Sequence, residues 1–394
     1  MSINGQAFIA GAFEHPAREI KDKSLARMHA EVAFCALLDA GLSVDDVDGY
    51  FCAGDAPGFG GISMAEYLVL SKLRHIDSTE TGGSSYVVHV GHAAEAIAAG
   101  KCNVALITLA GAPRAAGVRV LGGGGGRGRG WGDTPEVSFE GPFGSSVLGF
   151  YALAARRHMY EFGTTSEQLA WIRVAASKHA QHNPHALLRD PVTVDDVLAS
   201  PMVADPLHRL DSCVITDGGG ALVVVSPEIA RDLERKCVKV LGHGESVKHT
   251  NNGRIDLTYT AGVVSGALAF EEAGVTPSDI DYASIYDSFT ITVLVQIEDL
   301  GFCEKGKGGA FVSDGALESP HGALPFNTDG GGLCNNHPAN RGGMTKVIEA
   351  VRQLRGEANA PVQVPDCQLA LAHGTGGTIG ARHGSATVIL GQPD

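Results

Sequence analysis

The chain is poor in aromatic residues, 6% of 394 with only two tryptophans, and it carries no excess of positive charge. Lys and Arg number 30 against 44 Asp and Glu, a net charge of −14. A nucleic-acid binder concentrates its basic residues in a stripe or patch, and none is visible. An anionic ligand could still bind, but through a local pocket and not through the overall field. No apolar run reaches the ~18 residues that a membrane helix needs. The opening MSINGQAFIAGAFEHPAREI has neither the basic start nor the apolar core of a secretory signal. Eight cysteines, at 35, 52, 102, 213, 237, 303, 334 and 367, are scattered without a CxxC pair. These absences lead to the expectation of a cytoplasmic protein that uses neither nucleic acid nor membrane and binds no metal.

Glycine is abundant, 53 of 394, about twice its usual share. No collagen period accompanies it, which points to tight turns and close backbone approaches. Helical and strand periods alternate along the chain, the pattern of a layered α/β fold. Leu25, Met28, Val32 and Cys35 fall at helical spacing, and Gly41 is placed to stop that helix in a left-handed cap. Val104–Leu109 and Ala221–Val225 read as buried central strands. Thr165 with Gln168 predicts a reciprocally capped helix start, and Thr193 with Asp196 repeats the arrangement. The run from Gly122 to Gly130, which includes Arg127 and Arg129, is the one low-complexity stretch and reads as a surface loop.

The chain also echoes itself. Residues 35–50, CALLDAGLSVDDVDGY, and residues 268–286, LAFEEAGVTPSDIDYASIY, align at one offset: 273 − 40 = 233. A second echo follows in the same order, AAEAIAAG then NVALITL in the first half, VIEAVRQLRG then CQLALAHGTGG in the second. Two ordered echoes predict a duplicated α/β unit. The division is set at 1–245, with an inserted region over about 113–210, and 246–394. Two such copies pack as a pseudo-twofold pair, with the starts of their second helices near the shared interface. Those starts are read as Gly82-Gly83-Ser84-Ser85 and Asn336-His337-Pro338, and a helix start presents N–H groups suited to an oxyanion.

With these residues in view the chain resembles the thiolase superfamily, in particular the sterol-carrier-protein type. The segment NTDGGGLCNNHP (327–338), the following VIEAVRQLRGEA, the Tyr286-Asp287-Ser288-Phe289 motif and His373-Gly374-Thr375-Gly376-Gly377 carry the likeness, which runs over nearly the whole chain. It implies a five-layered αβαβα fold of two similar halves and a CoA-thioester substrate, with coenzyme A as part of the substrate and no other cofactor. It also implies a homodimer core and a small zinc-ribbon/OB-fold partner protein.

The departures from the family are informative. The position of the acyl-carrying cysteine falls on Gly83, followed by Ser84 and Ser85, and the second family cysteine corresponds to Ser288. A thiolate forms easily near neutral pH, whereas a serine needs a dedicated base. His337 matches the histidine that activates the nucleophile, Tyr286 replaces an asparagine or histidine, and Gly376 matches an oxyanion-hole glycine. His373 lies near the final catalytic loop, and Asp287, Gly83 and Ser84 complete the expected substrate-binding set. Each has a plainer reading: Tyr286 as a strand end, Ser84, Ser85 and Ser288 as caps, His373 as support, Gly83 as backbone space. His89 and His92 read as packing, and Cys334 as a buried thiol. Asn251 and Asn252, with His243 and His249, match a stretch near the family's CoA entrance. The reaction expected is retro-aldol cleavage of a 3-hydroxyacyl-CoA without an acyl-enzyme. The alternatives are a thiolase-type acyltransferase on 3-ketoacyl-CoA and a non-catalytic acyl-CoA-binding subunit.

Overall fold

The computed structural model describes residues 2–118, 146–249, 254–338 and 342–392. Arg127, Arg129, Asn251 and Asn252 lie outside them. The chain runs through β1 (Phe8–Glu14), α1 (Leu25–Ala40), β2 (Gly49–Phe51), α2 (Gly61–Tyr67), β3 (His75–Asp77), α3 (Ser85–Ala98) and β4 (Val104–Gly111). Next come α4 (Val147–Phe162), α5 (Ser166–Ala180), α6 (Val194–Ala199), the short pair β5 (Met202–Ala204) and β6 (Leu207–His208), β7 (Gly218–Val225) and α7 (Pro227–Asp232). The last third holds β8 (Val238–Lys248), α8 (Gly262–Ala273), β9 (Tyr282–Ile285), α9 (Thr290–Asp299), α10 (Gly308–Phe311), α11 (Gly331–Cys334), α12 (Gly343–Arg355), β10 (Leu369–Thr378) and β11 (Ala381–Gly391).

The duplication is written into the strand order. Nine strands form one sheet in the order β3-β2-β4-β7-β1-β8-β11-β10-β9. Outward from the middle, β1-β7-β4-β2 on one side matches β8-β11-β10-β9 on the other. The two copies join where Phe8 faces Lys239 and Ile9 faces Val238, antiparallel, as a twofold arrangement requires. The second copy thus opens at β8, and the 245/246 division falls inside that strand.

Side-chain alternation converts this order into layers. Ala105, Ile107 and Leu109 of β4, and Ala370 and Ala372 of β10, face a central core shared with Val87 and Val90 of α3 and Val347 and Val351 of α12. The intervening Val104 and Leu106 face α1, and Leu371 faces the outer helices of the second copy. A period of two places both sheet faces against helices. Counted as its two halves, the continuous sheet supplies both sheet layers, with α3 and α12 in the core that the halves share, and the order is the expected helix, sheet, helix, sheet, helix. The segment inserted into the first copy covers the second: Ala154 of α4 and Leu169 and Ile172 of α5 share a core with Val293 and Ile297 of α9.

Thr165 and Gln168 cap α5 reciprocally, as Thr193 and Asp196 cap α6. Gly41 and Gly274, one offset apart, end α1 and α8 in the left-handed region at φ +73° and +71°. The echo extends to packing. A Cβ on Gly11 of β1 would stand 2.1 Å from Ala36 O and 3.1 Å from the Ala40 Cβ. A Cβ on Gly242 of β8 would stand 2.3 Å from Ala269 O and 3.0 Å from the Ala273 Cβ. Ala36 and Ala40 advance by 233 onto Ala269 and Ala273, so each copy lays its first helix on a strand glycine by the same contact.

Because backbone oxygens, not mobile side chains, occupy that space, Gly11→Ala and Gly242→Ala should each destabilise the protein by about 1–3 kcal/mol, the usual overpacking range. Urea unfolding with far-UV circular dichroism checks this; midpoints equal to the parent protein's would contradict the shared packing.

Candidate active site

β9 ends at Ile285 and leaves Tyr286 at the lip of the sheet. The strand end is fixed on both sides by one side chain: Ile285 N–H donates to Asn327 Oδ1 (2.9 Å) and Asn327 Nδ2 donates back to Ile285 O (2.8 Å). Tyr286 N–H donates to His373 O on β10 (3.0 Å), and Gln296 Nε2 of α9 donates to Tyr286 O (2.7 Å). The phenol is therefore aimed by backbone that is hydrogen-bonded on both sides. Its oxygen lies 2.8 Å from His337 Nε2, with the two rings 70° apart.

His337 is held from the first copy. Its N–H donates to Thr216 Oγ1 (2.9 Å), Thr216 donates to Asn336 Oδ1 (2.7 Å), and Asn336 Nδ2 donates to Glu14 Oε1 (3.0 Å). His337 Nδ1 has no partner among the described residues. Burial lowers the imidazole to about 4, against the raising effect of Asp287 and with help from Lys346. Burial, then the nearby Cys213 and Tyr151, pushes the Tyr286 phenol well above its ordinary value. Both groups are neutral at neutral pH, so the contact is a proton shared between two uncharged sites.

Gly83 explains why the phenol can be there. A Cβ at this position would sit 2.6 Å from two atoms of the Tyr286 ring and 2.2 Å from Thr375 O. A side chain at 83 and a tyrosine at 286 exclude each other. Gly376 closes the same space: its Cβ would stand 1.6 Å from Thr81 O and 2.9 Å from Gly83 N. Gly83, Tyr286, His337 and Gly376 thus gather where the two copies meet.

Other expected residues fall elsewhere. Odd positions of β10 face outward, so His373 points away from the site. Its Nδ1 lies 2.8 Å from Thr387 Oγ1 and its ring lies under Gly262 at the start of α8. Only its carbonyl serves Tyr286. Asp287 is taken up by its surroundings. Its oxygens accept from Gly332 N–H (2.8 Å) and Leu333 N–H (3.0 Å), and Lys346 Nζ lies 2.7 Å from Oδ1. Ser84 Oγ is turned into its own loop, 2.9 Å from Thr81 O. Ser85 accepts from Thr81 N–H (2.9 Å) and donates to Gly82 O (2.8 Å), which ties the turn instead of capping α3. Ser288 Oγ meets Thr292 Oγ1 at 3.0 Å on the first turn of α9. His337 does not open a helix: α12 begins at Gly343, and the short α11 precedes the histidine. Cys334 is buried, its thiol pushed up to about 11 by burial. His89 packs against Thr79 O (3.0 Å), and His92 bridges Asp77 (2.6 Å) and Glu245 (3.3 Å).

Sequence reading missed the scaffold beneath the 327–338 loop. Glu14 Oε1 accepts from Arg18 (2.7 Å), and Oε2 meets Arg352 (3.1 Å). Burial opposes the Glu14 charge, yet the two guanidiniums hold it at about 2. Glu349 accepts from Thr328 Oγ1 (2.6 Å), and burial raises it to about 7. On α12 Glu349 looks like part of a solvated face; only the duplication, which puts α12 in the central layer, signals its burial.

A duplicated α/β fold with a buried imidazole and phenol at the junction of its copies defines the class of protein. A family described as thiolase C-terminal domain-like matches residues 244–392. A steroid side-chain-cleaving aldolase of Thermomonospora curvata is 36% identical over 373 residues, 92% of this chain and 94% of that protein. A 17-hydroxy-3-oxo-4-pregnene-20-carboxyl-CoA lyase of Mycobacterium tuberculosis is 35% identical over 91% of this chain and 94% of that one. An acetyl-CoA acetyltransferase of Methanothermobacter thermautotrophicus is 39% identical over 62% of this chain, and the match spans 64% of that protein. Among solved structures, an Ltp2-ChsH2(DUF35) aldolase superposes with a TM-score of 0.87 at 33% identity, over 99% of this chain and 98% of that one. The chain belongs to the thiolase superfamily.

Gly83→Cys should therefore destabilise the protein by about 1–3 kcal/mol through overpacking, and by less in a Tyr286→Ala background, where the ring contact is gone. A double-mutant cycle in urea reads the coupling; equal costs in both backgrounds would contradict the exclusion of one side chain by the other.

Proposed function

We propose that the protein cleaves the C2–C3 bond of a 3-hydroxyacyl-CoA by a retro-aldol reaction, without a covalent acyl-enzyme. The observation that carries this reading is the 2.8 Å contact between Tyr286 and His337 in the space that a nucleophile on residue 83 would need. Relatives named as an aldolase and a CoA lyase, similar over nine-tenths of the chain, support it.

In this scheme Tyr286 takes the proton of the substrate 3-hydroxyl as its own proton passes to His337 Nε2. The C2–C3 electron pair moves toward the thioester and forms an enolate, while C3 becomes the carbonyl of a departing ketone or aldehyde. In this reading the backbone N–H groups of Gly376 and Gly83 would donate to the enolate oxygen; one such donor is worth roughly 3 kcal/mol. The imidazolium, disfavoured by its burial, returns its proton through the phenol to C2 and leaves a shortened acyl-CoA. Atoms and charge balance with no added reactant, and coenzyme A enters only as part of the substrate. Thiolase-type acyl transfer through Ser84 is disfavoured, because that hydroxyl is committed to Thr81. Asp287, Ser288 and His373 act in this reading through the backbone and side chains they support.

The protein further works as a cytoplasmic homodimer with a small zinc-ribbon/OB-fold partner. The DUF35 component in the name of the similar aldolase structure supports the partner.

Incubated with its co-purifying partner and a branched 3-hydroxyacyl-CoA, the protein should release ketone or aldehyde and shortened acyl-CoA without free CoA, as read by liquid chromatography–mass spectrometry. Tyr286→Phe and His337→Ala should each lower kcat/KM by about 100-fold or more, the lower end for lost acid–base catalysis. Strict dependence on CoA, or an acyl-enzyme mass, would overturn the reading.

A further inference from the structure

A cavity of about 440 Å³ lies between Arg173 of α5 and the segments 187–192 and 209–214. Its base holds Arg173 of α5, which is only 2% exposed. One guanidinium nitrogen of Arg173 donates to Leu333 O, whereas Nε has no partner among the described residues. No carboxylate among the described residues pairs with Arg173, in contrast to Arg18, Arg352 and Arg355, which each have at least one. A buried cation without a counter-charge costs several kcal/mol unless an anion joins it.

The surroundings supply the rest of a recognition site. Arg189 and Arg209 stand exposed at the mouth, and neither makes an ion pair among the described residues; Arg189 Nη2 donates only to Gln181 O (3.2 Å). Asp190 is the one acid among the lining residues. Leu188, Leu210 and Val214 form apolar walls, and the buried Cys213 lines the cavity beside them. Three guanidiniums, one carboxylate and apolar walls in a cavity of this volume match a ligand with one anionic head on an apolar body.

We propose that this cavity binds an amphipathic carboxylate, its head held among Arg173, Arg189 and Arg209 and its body along Leu188 and Leu210. The inference stands apart from the retro-aldol reading, since it needs no catalysis. An occupant also tightens the Leu333 end of the segment that leads to His337, through the Arg173 contact.

The test is titration calorimetry of the full-length protein with decanoate, decanol and CoA, on the parent protein and on Arg189→Ala/Arg209→Ala. Both replaced side chains are exposed, so folding is preserved, which thermal unfolding of the unliganded variant verifies. Decanoate should bind the parent protein, decanol at least about tenfold more weakly, and the double variant should lose about tenfold in decanoate affinity. Equal binding of decanoate and decanol, no change in the variant, or loss of CoA binding alone with no decanoate binding would each overturn the proposal. Failure of the retro-aldol reaction would leave these binding results unchanged, so the two readings fail separately.

Discussion

The site rests on one steric constraint. The Tyr286 ring and any Cβ on residue 83 claim the same volume, 2.6 Å apart where contact needs well over 3 Å. Glycine at 83 and tyrosine at 286 are therefore a single feature. In the function proposed above, the position expected to carry the acyl group is bare backbone, and a phenol takes a place within hydrogen-bond reach of the His337 imidazole. A phenol and an imidazole, both kept neutral by burial, can pass a proton without either carrying charge for long.

Holding that pair requires rigid supports on both copies. Tyr286 is fixed by Asn327, Gln296 and the His373 carbonyl, all from the second copy. His337 is fixed by Thr216 and, through Asn336, by Glu14 at the end of β1. The buried charges around Glu14 are costly to remove singly, since a lone unpaired partner left in the core commonly costs 3–5 kcal/mol. They lock the 327–338 loop of one copy onto the other, and the β1–β8 junction carries the same alignment through the sheet. Precision at the centre follows from duplication at the level of the fold.

Much of this was legible in the residues. The 233-residue offset foretold two copies, and the structure extends it to Ala36/Ala269 and Ala40/Ala273 against their strand glycines. Capping pairs and left-handed glycines lay where local chemistry demanded them. The convergence of Gly83, Tyr286, His337 and Gly376 followed from the motifs. What escaped notice depended on long-range burial. The parity of β10 turns His373 outward, and a linear motif does not carry strand parity at its end. Asp287 reads as a site acid, yet two backbone N–H groups and Lys346 occupy it. Arg173 and Glu349 look like ordinary surface charges on amphipathic helices until the layers on either side of them are known.

The shared proton between Tyr286 and His337 is the claim on which the account stands. Nitrogen-15 chemical shifts of the His337 imidazole, recorded from pH 4 to pH 8 in the parent protein and in Tyr286→Phe, address it directly. The account predicts a neutral ring down to about pH 5, with protonation centred near 4, and a marked change at Nε2 when the phenol oxygen is removed. An imidazole that titrates near the ordinary value of about 6.5 and ignores the loss of the phenol would contradict it.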